Sequence, residues 1–327
     1  MRLISLGLLA VPLVALLAYP LVAEQGYLTY VLVLILSYSI IALYYNMLLG
    51  YLGIPFLAPL VPYAVGGYTV GYLTLNGWNP FAGLLVGCIF AAGSGFAFSL
   101  LSMRLRGLYM ALYSLVFTLF FQNLITRQDI RPLFDIFVGG IGQNNIPDIT
   151  LGGFQWRLFD GVAYYYFALA MLVVSAIVLK KVLDSRFGIA FKGVRDAEVY
   201  AASLGIGIFR VKIVAFAVSS FFIGLAGGLL TLFYGAIGAT ILDTSNMLLF
   251  FSMVVLGGLG TFFGPVAGAF VMVPLNNYLT EYHAWRFLAQ GLAVLLVVLI
   301  FPEGVVGRLQ RFVRGRMMRS STGSAGV

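Results

Sequence analysis

The residues whose types and spacing could do chemistry are concentrated in one charged stretch, residues 185–212, between two long apolar segments. Its charges recur on one side of a helical pattern, with a glycine near each end. These residues are Gly188, Lys192, Arg195, Asp196, Glu198 and Gly205. A short helix of this kind can bind a protein outside the bilayer through ion pairs and hydrogen bonds. The alternative interpretation is a loop helix whose charges face water.

The other side of the same pattern is apolar. Residues at steps of three or four predict a single buried face, which consists of Phe191, Val194, Ala197, Ala201 and Leu204. On a regular helix Arg195 and Glu198 are three positions apart and can pair. Gly188 is then expected just before the helix, and Gly205 just after it.

Several chemistries are excluded by composition. The chain has one cysteine, Cys88, and one histidine, His283, so it predicts neither a disulfide nor a His-rich metal site. No lysine follows a glycine, so a phosphate-binding P-loop is absent from the sequence. We therefore expect no catalytic residues, no metal and no cofactor bound by this chain.

A few uncharged polar residues fall inside or at the ends of apolar segments. A polar group in a membrane span needs a partner, which is either another helix or a polar path through the protein. The candidates for such a path are Asn46, Gln122, Asn123 and Asn276. Hydrogen bonds between helices are the alternative for each of them.

The elements that position these residues are membrane helices. The 327 residues are 61% hydrophobic and 9% charged, against about 25% charged residues in soluble domains. Continuous apolar runs predict an all-α polytopic membrane protein with about ten transmembrane helices, in the range of eight to ten. The predicted spans are 3–22, 28–49, 54–73, 81–101, 108–125, 162–179, 213–233, 247–260, 262–278 and 287–301.

Some of these spans are expected to be short or broken. Pro55, Pro59 and Pro62 fall in the third span, and prolines this close together cannot lie in a straight helix. The eighth and ninth spans are short and rich in glycine, and they could be two helices or re-entrant pieces. The segments beginning at Gly50 and Gly257 resemble each other, which suggests an internal repeat of broken helices.

Charge asymmetry predicts the orientation. With both termini in the cytoplasm, 15 of the 19 Lys and Arg residues lie on the cytoplasmic side. The predicted transmembrane domain is residues 1–307, with a cytoplasmic loop at 185–212 and an outer loop at 126–160. Residues 308–327 form a basic cytoplasmic tail that is expected to bind anionic lipid. The first segment could also be a cleaved signal peptide.

Four motifs stand in this chain: S-R-F-G-x-A-F-K-x-V-R-D-x-E from Ser185, V-L-G-G-x-G-x-x-x-G-P-x-x-G from Val255, R-L-R-G-x-Y-x-A from Arg104 and P-x-G-x-x-G from Pro302. By these motifs the chain resembles a known family, the LivM-type membrane permease subunits of ATP-binding-cassette (ABC) importers for branched-chain amino acids. The resemblance implies that residues 188–205 form a helix that couples to an ATPase, with Arg195, Asp196 and Glu198 facing it.

The resemblance also implies partners: a second, LivH-like permease, two cytoplasmic ABC ATPases that carry ATP and Mg²⁺, and an extracytoplasmic solute-binding protein, in the inner membrane of a prokaryote. No nucleic-acid partner is expected. The family's S-L-G-H after Gly53 is missing here, so the solute is less well supported than the coupling surface. The alternatives are a permease for urea, short amides or sugars, and a stand-alone carrier or channel.

Overall fold

The computed structural model describes residues 26–102, 105, 107–126, 143–144, 149–151, 154–156 and 161–279, together with positions 288, 291–292, 295 and 299. The predicted first span and the basic tail lie outside these residues, and the predicted last span is described only at isolated helical positions. The described part is a bundle of helices. Their bounds are α1 Tyr27–Asn46, α2 Leu60–Leu75, α3 Pro80–Leu101, α4 Leu108–Thr126, α5 Gly161–Asp184, α6 Arg186–Ser203, α7 Ile208–Tyr234, α8 Thr244–Gly257 and α9 Gly264–Tyr278.

Short non-helical and irregular elements join these helices. α1 continues as one π-helical stretch, Met47–Tyr51, and a 3₁₀ turn at Ala239–Leu242 precedes α8. Two small antiparallel sheets pair β1 (Gln143–Asn144) with β4 (Ala236–Ile237), and β2 (Ile149–Leu151) with β3 (Phe154–Trp156).

The membrane character predicted from composition is confirmed. Five helical segments in the described part are long and apolar enough to cross a bilayer: Tyr27–Tyr51, Pro80–Leu101, Leu108–Thr126, Val162–Asp184 and Ile208–Tyr234. The central one is α1, since 89% of its apolar window is buried within the protein. The remaining apolar helices, α2, α8 and α9, have 14 to 16 residues each. A straight span needs roughly 20 residues, so these three are too short to cross alone.

The break predicted from the prolines lies before α2. Residues 52–59 are not helical, and they contain Pro55 and Pro59. Pro62 lies in the first turn of α2, where its missing N–H removes no helical hydrogen bond. α2 packs on the middle of α7, because a Cβ at Gly66 would overlap the backbone of Gly224. Hence α2 begins partway along α7 and the non-helical segment connects it to the end of α1.

The eighth and ninth spans are two separate helices that form an antiparallel hairpin. Gly257 and Gly268 of this hairpin touch the backbone of the facing helix, where an added Cβ would overlap Gly264 O and Met253 O, respectively. The turn of the hairpin, residues 258–263, reaches the same end of the bundle as the end of α1. We call this the α6 end, because α6 joins α5 to α7 there. The other end, where Tyr27 begins α1, is the opposite end.

Candidate functional site

The charged stretch forms α6, but it is divided by a kink. Ala197 has φ −159° and ψ 85°, outside the helical region, so the residues before and after it belong to two short helical pieces. The predicted i, i+3 relation between Arg195 and Glu198 therefore does not exist. The predicted apolar face is confirmed only in part. Phe191, Val194 and Ala201 are buried, whereas Leu204 is 81% exposed.

Of the two glycines at the ends of the stretch, one lies where it was predicted and the other does not. Gly205 ends the helix as expected, with φ +82°, in the left-handed region that suits glycine. Gly188 lies inside α6, which begins at Arg186 after the N-cap Ser185. A Cβ at Gly188 would overlap the carbonyl group of Leu183, so this glycine permits the tight turn from α5 into α6.

The second piece of α6 is bound to α7 by an ion pair. Lys212 Nζ lies 2.9 Å from Glu198 Oε1, and their side chains are 13% and 24% exposed. Partial burial makes this pair less sensitive to screening than a surface pair. Glu198 therefore faces its own chain in this structure.

Arg195 connects the first piece of α6 to the end of α1. Its Nε donates to Asp196 Oδ1 at 2.9 Å, and its Nη1 donates to Gly50 O at 3.1 Å. The stem of Arg195 covers Gly53, where an added Cβ would overlap Arg195 Cγ. Its side chain is 39% exposed, so Arg195 lies at the edge of the bundle. The guanidinium points inward, toward Gly50 O.

Asn46 connects the end of α1 to the turn between α8 and α9. Its Nδ2 donates to Thr261 O at 2.8 Å, and its Oδ1 accepts from Gly260 N at 2.9 Å. Asn46 is 1% exposed, and both ends of its amide are therefore satisfied by one turn. A Cβ at Gly50 would overlap both Asn46 Oδ1 and Gly260 N, so the two segments are in contact.

These contacts define one site, which we call the junction: Asn46, Gly50, Gly53, Arg195, Gly260 and Thr261. It brings together three parts of the chain that are far apart in sequence, namely the end of α1, the kinked α6 and the α8–α9 turn. In the sequence Asn46, Arg195 and the two glycine segments each stand out, but only separately. The similarity of the segments at Gly50 and Gly257 was the signal that could have joined them.

Two hydroxyl groups form hydrogen bonds with the non-helical segment before α2. Neither was predicted as a site residue. Ser114 Oγ accepts from Leu57 N at 2.9 Å, and Thr118 Oγ1 donates to Leu57 O at 3.4 Å. Both residues lie on α4, one turn apart, and both are buried. Backbone without helical hydrogen bonds is tolerated at membrane depth only where protein supplies partners, and α4 supplies them here.

The predicted polar-path residues do not form one cluster. Asn46 lies at the α6 end, whereas Gln122 and Asn123 are near the other end of α4. Gln122 Nε2 lies 3.3 Å from Asp243 Oδ1, and Asn123 Nδ2 donates to Leu119 O within its own helix. Asn276 is half-buried near the end of α9, next to Asn277, which donates to Tyr27 Oη.

Within the described residues no group of three or more His, Cys, Asp or Glu side chains could hold a metal ion. Cys88 is buried in α3, and His283 lies outside the described part of the chain. The arrangement suits mechanical linkage between helices.

Comparison with known proteins gives matches over most of the chain. A family model described as "Branched-chain amino acid transport system / permease component" matches residues 27–302. The branched-chain amino acid permease protein LivM of Escherichia coli is 28% identical over 321 residues, covering 90% of this chain and 73% of that one. LivH of E. coli is 26% identical over 296 residues, covering 83% and 92%. A probable ABC transporter permease of Sinorhizobium fredii is 29% identical over 228 residues, covering 67% and 63%. No solved structure matches the chain.

Proposed function

Because the chain belongs to the branched-chain amino acid transport system permease family, we propose that it forms, with a second permease, the membrane path of an ATP-driven importer. It is a multi-pass membrane protein and a transport subunit of this family. Its solutes are branched-chain amino acids or closely related small amino acids. ATP hydrolysis belongs to separate subunits, which carry the nucleotide and Mg²⁺.

The proposal rests on the apolar side chains that α6 exposes. The helix is held against the bundle by Phe191, Val194 and the contacts of Arg195. It exposes the apolar side chain of Ile189 before the kink, 72% exposed. Beyond the kink Val199, Tyr200 and the C-cap Leu204 are 72%, 74% and 81% exposed. α6 is too polar to be a span, so bilayer core does not cover it. A polar helix with an anchored side and an open apolar side is suited to binding a soluble subunit.

The other partners follow from the family. LivM and LivH both match this chain, which supports a pair of related permeases in one importer. A solute-binding protein would deliver the amino acid at the opposite end, and two ABC ATPases would bind at the α6 end. Membrane lipid covers the exposed apolar faces of α3 and α4, and no nucleic acid takes part.

Orientation is tested by cysteine labelling. The positive-inside asymmetry predicts the α6 end in the cytoplasm and the opposite end outside. Lys192 on α6 and Trp78, 54% exposed in the loop between α2 and α3, mark the two sides. In intact cells an impermeant thiol reagent is expected to label Trp78→Cys and to leave Lys192→Cys unlabelled. Cys88 is buried and provides a low background. Labelling of both positions from outside contradicts the orientation.

Reconstitution tests the function itself. The chain, its partner permease, the ATPases and the binding protein are placed in liposomes with radiolabelled L-leucine. We expect uptake that requires ATP and the ATPase subunits. Uptake without the ATPases would instead indicate a carrier or channel. Competition by valine and isoleucine, but not by urea or a sugar, would support the solute class.

The polar residues at the opposite end provide a further prediction. We expect at least one of Gln122, Asn123 and Asn276 to reach the translocation path. Replacing all three by alanine is then expected to raise the leucine concentration for half-maximal uptake about tenfold, since one hydrogen bond to a charged solute contributes about 1.5–3 kcal/mol. The matched control is Asn76→Ala, whose exposed amide bonds only Tyr72 O of its own helix. Unchanged uptake kinetics in the triple variant contradict the prediction.

A further inference from the structure

The junction contains two turns that each have a glycine with positive φ at the same position of a G-x-x-G pair. Gly53 and Gly260 have φ +72° and +71°, and each is the second glycine of a G-x-x-G pair, Gly50–Gly53 and Gly257–Gly260. Each pair follows a helix that runs to the α6 end, and each precedes a short helix that runs back. The two broken hairpins, α1–α2 and α8–α9, are therefore turned by equivalent glycines.

Arg195 lies between these two turns. Its stem packs on Gly53, its Nη1 donates to Gly50 O, and a Cβ at Gly260 would lie 3.4 Å from that same Nη1. One side chain from outside the spans therefore contacts the first turn at Gly50 and Gly53 and lies close to Gly260 of the second. Asn46 joins the same two turns directly, through its bonds to Gly260 and Thr261.

The kink at Ala197 separates this contact from the exposed side chains of Val199, Tyr200 and Leu204, whereas Ile189, also exposed, precedes it. Arg195 precedes the kink, in the piece of α6 that is packed on the bundle, and Tyr200 and Leu204 follow it. The second piece is continuous with the first and is also bound to α7 by the pair of Glu198 and Lys212.

We infer that Arg195 is a positioning residue that couples displacement of α6 to both broken hairpins, while the contact with the ATPase lies beyond the kink. The inference rests on the proposed function. It assigns Arg195 an intramolecular role, in place of the ATPase contact that the family resemblance implies. Through Arg195 and Asn46, α6 and the two turns move as one body during transport, which opens or closes the path between the hairpins.

The test separates ATP hydrolysis from uptake in the reconstituted complex with leucine. For Arg195→Gln we expect the ATPases to remain bound and hydrolysis to stay within about twofold. Leucine uptake is expected to fall about tenfold, because a hydrogen bond to a charged donor is lost. Arg195→Lys is expected to recover part of the uptake, since an ammonium can reach Gly50 O but lacks the fork that also binds Asp196.

A second variant, at Asn46, disrupts the direct contact between the same two turns. Asn46→Leu has a similar volume and removes both bonds to the α8–α9 turn. We expect it to raise the ATP hydrolysed per leucine without changing the leucine concentration for half-maximal uptake. Combined with Arg195→Gln, it is expected to add little, as residues of one network are not additive. This variant decides the matter if Arg195→Gln fails to assemble.

Several results would overturn the inference. Loss of the ATPases from the purified Arg195→Gln complex would make Arg195 a docking contact and overturn the inference. An equal fall in hydrolysis and uptake, or fully additive variants, would also overturn it. If the unaltered complex takes up no leucine with ATP, the proposed function fails, and the inference fails with it.

Discussion

Replacement of Gly66 by leucine is expected to prevent the bundle from assembling. Gly66 of α2 lies against the backbone of Gly224 of α7, where even a Cβ would overlap Gly224 O and Cα. The atoms in the way belong to backbone, so the two helices must separate. Overpacking of this kind costs about 1–3 kcal/mol and occasionally more, out of a total stability of about 5–15 kcal/mol. We expect little folded protein and a large fall in its thermal midpoint in detergent.

The matched control for Gly66 lies on α3. An added Cβ at Gly93 meets nothing within 4 Å, and Gly93 has no positive φ. Gly93→Leu is therefore expected to leave yield and thermal midpoint unchanged, or to raise them slightly through better helix propensity. Equal behaviour of the two variants would mean that α2 and α7 do not approach as closely as the structure has them.

Replacement of Tyr200 and Leu204 together by serine is expected to release the ATPases. Both side chains are highly exposed beyond the kink and touch no part of the junction. Burying such side chains at an interface contributes about 2 kcal/mol or more each, so the double variant should bind the ATPases weaker by at least about tenfold. The measurement is co-purification of the ATPases with the permease pair, followed by ATP-driven leucine uptake.

A control for this variant removes exposed apolar area elsewhere. Trp78→Ser acts at the opposite end and is expected to retain the ATPases. The Tyr200/Leu204 double variant is thus expected to lose both ATPase binding and leucine uptake. Arg195→Gln is expected to keep ATPase binding and lose uptake. Retention of the ATPases by the Tyr200/Leu204 double variant would move the docking surface to another face of α6, such as Lys192 and Asp196.

The sequence alone determined those features that depend only on residues close together along the chain. Apolar run length located α1, α3, α4, α5 and α7, because the hydrocarbon core requires about 20 apolar residues whatever the fold. The prolines at 55, 59 and 62 located the break before α2, because a proline ring blocks a helix locally. Gly205 indicated the end of a helix because glycine itself allows the positive φ that ends a helix.

The same local reasoning failed inside the charged stretch. Regular spacing predicted one helix with an Arg195–Glu198 pair, but Ala197 breaks the helix and the two residues bind different partners. Nothing in the residues near Ala197 indicated the break. It places Phe191 and Val194 against the bundle and allows Glu198 to reach Lys212, so the reason for the break is packing.

The junction was decided only by the tertiary structure. Arg195 and Gly50 are 145 positions apart, and Asn46 and Thr261 are 215 apart. The sequence shows that an arginine needs an acceptor and that an amide in a span needs partners, but many carbonyl groups satisfy either need. Which ones they find depends on where Gly50, Gly53 and Gly260 allow the backbones to meet. That choice follows from close packing of the whole bundle, which no single stretch of sequence contains.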